Sequence, residues 1–149
     1  MATQTIKIKA NWQEGETATR IKAGSYEFFM DRPAKMGGSN LGPTPVQYLL
    51  ACLPGCLASV GRMVAEEMGI ALHSLVLTVE GDFDQDGHHG VEGVRNGFSA
   101  IRVGVKVAAD ASQVELERWL SLTHARCPVA DNLENATQLS LTLDTQVKT

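Results

Sequence analysis

The sequence predicts an α/β (α+β) domain in the order βββ-α-ββ-α-α-β, with a central apolar helix covered by β-sheets. Three observations carry that expectation. The run from Thr44 to Met68 is apolar on nearly every face, as in a helix that belongs in the middle of a protein. The segments on either side alternate apolar and polar residues, which is the period of a strand. Turn-forming residues separate these segments. A chain of 149 residues is long enough for a real core, and one domain over residues 1–149 is expected.

Each element has its own local reason. Ile6 and Ile8 alternate with Lys7 and Lys9, so residues 3–12 read as an edge strand ending at Trp12. The polar turn Gln13–Glu16 leads into a strand over Thr17–Ile21, and Ala23–Gly24 turns the chain into Ser25–Met30. Together the three make a meander. Asp31 to Pro43 is a loop rich in Gly and Pro that lacks the spacing of a nucleotide cradle. Thr44 is placed as helix N-cap, Pro45 as first helical residue and Gly69 as the stop. Pro54 lies inside this run and clashes with the Leu50 carbonyl, which predicts a kink or a restart.

Beyond Gly69, Leu72–Phe83 is a strand with Leu75, Leu77 and Val79 on one face. Asp84–Gly93 is a polar loop and Phe98–Ala108 a second alternating strand. Asp110 or Ser112 caps a short amphipathic helix whose buried face is Val114, Leu116, Trp119, Leu120 and Leu122. His124–Arg126 is a junction, Cys127-Pro128 opens a further short helix to about Leu133, and Thr137–Val147 is the closing strand.

Composition excludes several function classes. The net charge of −4 is mild and dispersed, without the basic stripe of a nucleic-acid binder. Residues 45–65 come closest to a bilayer span, but Gln47, Pro54 and Arg62 interrupt them, so no membrane partner is expected. The opening residues, MATQTIKIKANW, lack the apolar core of a signal peptide, which points to the cytoplasm. Three cysteines in such a chain argue for reduced or redox-active thiols rather than a disulfide framework.

The thiols are the candidate chemistry. If the long helix restarts at Pro54, Cys56 falls in a first turn, where unpaired N–H groups and the positive end of the dipole favour thiolate. The alternative at Cys56 is a small buried hydrophobe. Cys127 stands at the N-cap of a short helix with Arg126 adjacent and His124 close, which also favours thiolate; the alternative is an incidental thiol in a turn. Cys52, one helical turn before Cys56, reads as core. His88 and His89, with Asp84 and Asp86, invite a metal reading, but one loop supplies all four and a solvated turn is the better reading. Glu66-Glu67 reads as a solvated helix end, and Arg62 lies off the helical face of Cys56. There is no G-x-S-x-G elbow for a hydrolase and no cofactor motif.

Taken together, G-G-S-N-L-G-P-T-P, the L-L-A-C-L-P-G-C helix with Cys56 eleven residues after Pro45, and Cys127-Pro128-Val129 resemble the OsmC/Ohr family of osmotically inducible and organic-hydroperoxide-resistance proteins. The match is closest to the general OsmC-like branch. The resemblance implies an intertwined homodimer with central helices between β-sheets. It implies a peroxiredoxin-type thiol peroxidase acting on organic hydroperoxides, with Cys56 as the attacking thiolate and Cys127 as the resolving thiol, reset by a dithiol reductant. No cofactor and no metal are expected. Ohr-type peroxidases also carry an arginine in the N-terminal hairpin and a glutamate just after the second proline of the loop. Arg20 takes the arginine position, with Arg32 as the alternative, while the glutamate position reads Val46 followed by Gln47. Hence a second expectation stands beside the first: a non-catalytic OsmC-like protein that binds a small apolar ligand or senses oxidants through the same thiols.

Overall fold

A computed structural model describes residues 3–145 of the chain. Its elements are β1 (Ile8–Asn11), β2 (Thr19–Ala23), β3 (Tyr26–Met30), α1 (Pro45–Glu67), β4 (Leu72–Phe83), α2 (Gln85–His88), β5 (Phe98–Ala109), α3 (Gln113–Ala125) and α4 (Pro128–Glu134). The mixed α+β class and the order of the main elements follow the sequence expectation. Contacts group the residues into two compact units, Met1–Cys52 with Val79–Arg102 and Leu53–Thr78 with Val103–Thr149.

In the first unit, β1, β2 and β3 form an antiparallel meander. The β2–β3 hairpin pairs Ala23 with Tyr26, so its two-residue turn is Gly24–Ser25, one residue later than expected. Gly24 adopts φ 58°, the left-handed geometry such a turn needs. Ile21 and Ala18 are buried. The opposite face of the hairpin carries Arg20, Lys22, Glu27 and Phe29 in facing register.

The loop from Asp31 to Pro43 is folded around one carboxylate. Asp31 is 3% exposed. It accepts backbone N–H bonds from Arg32 at 2.7 Å, Ser39 at 2.9 Å and Leu41 at 3.1 Å. The Asp31 N–H in turn donates to the Pro43 carbonyl at 3.2 Å. A loop of this length leaves many amides to satisfy, and a buried acceptor with two oxygens meets three of them at once. A side chain at Gly38 would collide with the Arg32 carbonyl, so the closure also requires glycine there.

The second unit holds the main core: Val64, Ala65, Ile70 and Trp119, with Val60, Leu72, Leu75, Val105, Val107 and Leu122 against them. The Trp119 indole N–H donates to the Gly61 carbonyl at 2.7 Å, tying α3 to α1 across 58 residues of sequence. The contact depends on Gly61, since a Cβ there would lie 2.9 Å from Trp119 Cζ2. Gly69, at φ 69°, ends α1. Its N–H bonds the Glu66 carbonyl at 3.1 Å and the Ile70 N–H bonds the Ala65 carbonyl at 2.8 Å. That is the paired closure of a Schellman motif, with Ile70 and Ala65 supplying its apolar contact. In α3, Ser112 rather than Asp110 is the N-cap, in a reciprocal capping box with Glu115.

β4 and β5 form a two-stranded sheet. At one end the Asp110 N–H donates to the Ala71 carbonyl, and at the other the Ser99 hydroxyl to the Asp82 carbonyl. The partners run in opposite order, so the pair is antiparallel.

Several expectations are corrected. α1 is assigned as one unbroken helix through Pro54, so there is no restart; proline removes only its own N–H, and the flanking turns keep their helical conformation. By length and composition α1 would suffice to cross a membrane, contrary to the sequence reading; its buried stripe of Leu53, Leu57, Gly61, Val64 and Ala65 is that of a core helix. Cys52 is exposed rather than core. In α3 the buried residues are Trp119 and Thr123, whereas Val114 and Leu120 are exposed, because they fall off the stripe set by Trp119. The loop after Phe83 contains the single turn α2. Of the expected closing strand over Thr137–Val147, residues 137–145 carry no strand, and Gln146 and Val147 lie outside the described residues.

Gly61→Ala overpacks the α1–α3 contact and should cost about 1–3 kcal/mol by denaturant titration. The Thr123 hydroxyl, buried beside it, has no hydrogen-bond partner among the described residues. Thr123→Val should therefore be neutral or stabilise by about 1 kcal/mol in the same titration. Asp31 is held below its ordinary value of 3.8, chiefly by the Leu41 N–H and further by Ser39, Arg32 and the Thr17 hydroxyl, against the opposing effect of burial. Its folded pKa is the lower one, so its stabilisation is complete above pH 3.8 and is lost as pH falls through the folded value. Asp31→Asn should lower the thermal midpoint at neutral pH and flatten the acid limb of the stability profile.

Candidate thiol site

The helix that carries Cys56 is fixed at its start by local chemistry. Thr44 and Gln47 form a capping box: the Gln47 side-chain carbonyl accepts from the Thr44 N–H at 2.8 Å and its hydroxyl at 3.1 Å, and the Gln47 N–H donates to Thr44 Oγ1 at 3.4 Å. This gives Gln47 a structural task. Val46, beside it, is 37% exposed and carries no charge. Cys56 lies mid-helix and half-buried, with Leu53 and Leu57 buried on either side. The first-turn environment expected from a restart at Pro54 is therefore not what surrounds it.

Cys127 is where the sequence placed it, at the N-cap of α4. It is 1% exposed, and its Sγ accepts from the Ala130 N–H at 3.5 Å. Pro128 follows at the first helical position, where its missing N–H costs nothing. The two basic residues expected beside this thiol each pair with a carboxylate. Arg126 Nη1 and Nη2 donate to the two oxygens of Glu67 at 2.5 and 3.0 Å. His124 Nε2 lies 2.8 Å from Glu134 Oε1. Cys56 and Cys127 belong to the same compact unit.

Arg20 and Arg32 belong to the other unit. Arg20 projects from the β2–β3 hairpin, its Nη1 3.1 Å from Glu27 Oε1 and its guanidinium 5.4 Å from the centre of the Phe29 ring. Two restraints therefore hold it although Val46 supplies none. Arg32 is exposed in the loop, where its backbone N–H and carbonyl bond Asp31 and Asn40. Sequence reading passed over Glu27 and took Glu67 for a solvated helix end, whereas each pairs with an arginine. Hairpin arithmetic from the Gly24–Ser25 turn would have found Glu27; nothing local pointed Glu67 at Arg126.

The metal reading finds no support: no group of three or more His, Cys, Asp or Glu side chains could hold an ion among the described residues. His88 packs its ring against Phe83 and His89, with centroids 6.4 and 5.8 Å away. His73 pairs with Asp110 at 2.9 Å on the surface.

With this geometry in place, a family model for OsmC-like proteins matches residues 37–142, which span the glycine loop, both thiols and the strands between them. The chain belongs to the OsmC-like family. The folds agree as well. An OsmC-like protein from Mycoplasma pneumoniae superimposes with TM-score 0.76 at 19% identity, over 89% of each chain. An organic hydroperoxide resistance protein OsmC from Legionella pneumophila matches with TM-score 0.59 at 23% identity, over 89% of this chain and 91% of that one. A third, an organic hydroperoxide resistance protein from Elizabethkingia anophelis, matches with TM-score 0.60 at 20% identity, over 87% and 88%. None of the functionally curated proteins matches the sequence.

The capping box makes the start of α1 testable. Thr44→Ala removes both hydroxyl contacts and should cost about 1 kcal/mol by chemical denaturation, and Gln47→Ala should cost no more than that.

Proposed function

We propose that this OsmC-like protein is a thiol peroxidase that reduces organic hydroperoxides in oxidative-stress defence. The observation that supports it best is the pair of thiols in one compact unit, Cys56 half-buried among leucines of α1 and Cys127 at the head of α4. The Cys56 thiolate attacks the distal peroxide oxygen; the O–O bond breaks, Cys56 becomes a sulfenic acid, and the alkoxide leaves with a proton as alcohol. The Cys127 sulfur then attacks the sulfenic acid sulfur and water leaves with the thiol proton, closing a Cys56–Cys127 disulfide, and a dithiol reductant returns both sulfurs to thiols. Apolar neighbours such as Leu53 and Leu57 favour an alkyl peroxide over hydrogen peroxide. Arg20 is assigned as the cation that serves the thiolate and the developing alkoxide, held in orientation by Glu27 and Phe29. A cytoplasmic location suits thiols that must be reduced between turnovers.

We also assign the functional unit as a homodimer. Leu139, Leu141 and Leu143 are 84%, 93% and 87% exposed, and Ile6 is 80% exposed. Apolar surface repeated at strand spacing calls for a covering partner, and a second copy is the partner the family resemblance implies.

One observation favours a second reading. Val46 stands where the family resemblance places a glutamate, and α1 runs through Pro54 without the restart that would put Cys56 in a first turn. A non-catalytic protein that binds a small apolar ligand, or reports oxidants through its thiols, would show these features.

Peroxide consumption separates the two. With cumene hydroperoxide and a dithiol, the wild-type chain should consume peroxide at a rate that Cys56→Ser abolishes, and hydrogen peroxide should be consumed more slowly. Arg20→Met should lower kcat/KM by about 10²-fold. Consumption no faster than the Cys56→Ser background would leave the ligand-binding reading.

A further inference from the structure

We infer that the Glu67–Arg126 ion pair is a positioning clamp for Cys127, holding the resolving thiol in place relative to the helix that carries Cys56. The inference rests on the peroxidase reading in one respect, that Cys56 and Cys127 close a disulfide.

Glu67 is the last residue of α1. Arg126 is the C-cap of α3, and the next residue is Cys127 at the N-cap of α4. One peptide unit thus separates the guanidinium-bearing residue from the thiol-bearing one. The Arg126 fork meets both carboxylate oxygens, the bidentate geometry that fixes orientation as well as distance. Lysine could not reproduce it.

The pair acts beside a second tie. Trp119 bonds the Gly61 carbonyl from the same face of α3. Gly61 and Glu67 are six residues apart on α1, roughly 9 Å along its axis. Trp119 and Arg126 are seven apart on α3, roughly 10 Å along its axis. The two anchors follow in the same order at matched spacing, so α3 and its exit are fixed to α1 at two points. A single anchor at Trp119 would leave the junction free to pivot. The thiol emerging from this junction is 1% exposed, although Arg126 and Pro128 on either side of it are exposed.

What marks the pair as a positioning device is its placement at the surface. Its side chains are 41% and 51% exposed, and pairs so wetted add little to global stability. Disulfide closure is far more sensitive to geometry, since the sulfurs must meet within narrow limits of distance and dihedral angle. The clamp should therefore be visible in the rate of closure and not in the thermal midpoint. Each partner shifts the other's titration: Arg126 holds the Glu67 carboxyl below its usual range, and Glu67 pushes the guanidinium up. The pair thus stays charged across the working pH of a thiol enzyme.

The test uses Glu67→Gln, Arg126→Met and the charge-reversed double variant E67R/R126E, all with Cys52→Ser so that only one disulfide can form. Diamide is the oxidant: one thiolate adds to its diazene, the second thiolate displaces the hydrazine, and two thiols become one disulfide. Closure of Cys56–Cys127 is followed by mass spectrometry after alkylation, with sulfenic acid at Cys56 followed separately by dimedone labelling after cumene hydroperoxide. Each single variant should close about tenfold more slowly, with unchanged thermal midpoint and unchanged dimedone labelling, and the reversed pair should recover most of the rate. Closure at the wild-type rate in both single variants would overturn the clamp, as would a reversed pair no faster than the singles. If the parent chain forms no Cys56–Cys127 disulfide with diamide, the clamp falls together with the resolving role of Cys127. If diamide closes it normally and peroxide yields no sulfenate, the clamp stands and the peroxidase reading fails.

Discussion

The hydrogen bond from the Trp119 indole to the Gly61 carbonyl is the contact on which the thiol-bearing unit depends. A tryptophan can be fully buried only if its N–H finds an acceptor, and helix carbonyls are normally occupied by the helix itself. Glycine solves both problems. Without a side chain at position 61, the indole lies against the backbone and shares a carbonyl within reach. Val64, Ala65 and Ile70 then complete a core around the ring, and the Schellman closure at Gly69 turns the chain into β4 on the same side. The positions of α3, the junction and Cys127 all descend from that approach.

Elsewhere the chain meets its polar groups with unusually local means. One carboxylate, Asp31, closes the glycine loop; one amide, Gln47, closes the start of α1; Ser112 and Glu115 close the start of α3. Each is a short-range solution to backbone groups that would otherwise be left unmade. The candidate thiols are thereby carried on helices whose starts are fixed by local hydrogen bonds.

Much of this was legible in the sequence. The N-cap Thr44, the stop at Gly69, the strand Leu72–Phe83 and the Cys127-Pro128 helix start are written in single residues with strong local preferences, and they appear where expected. The alternation in β5 and the amphipathic stretch of α3 were readable as well, though the buried stripe of α3 turned out to run through Thr123. What failed was of another kind. Pro54 predicted a kink or a restart because local rules count its lost hydrogen bond; the restart does not occur, since one missing N–H is tolerated in a helix held by a buried stripe. The expected closing strand over Thr137–Val147 is absent from residues 137–145, because a strand forms only where something pairs with it and no pairing is seen among the described residues there. The Arg126–Glu67 pair spans 59 residues, and no period or motif announces such a contact.

The way Arg20 is held has a consequence for how this chain can vary. Its partners, Glu27 and Phe29, sit across a two-residue hairpin, so their approach is set by strand register, and register is protected because a slip of one residue would turn Ile21 out of its buried face. An arginine restrained from within its own hairpin does not rely on the glycine loop for its orientation. Position 46 then carries no demand from Arg20: whatever side chain stands there, the guanidinium keeps the two partners that its own strands bring to it.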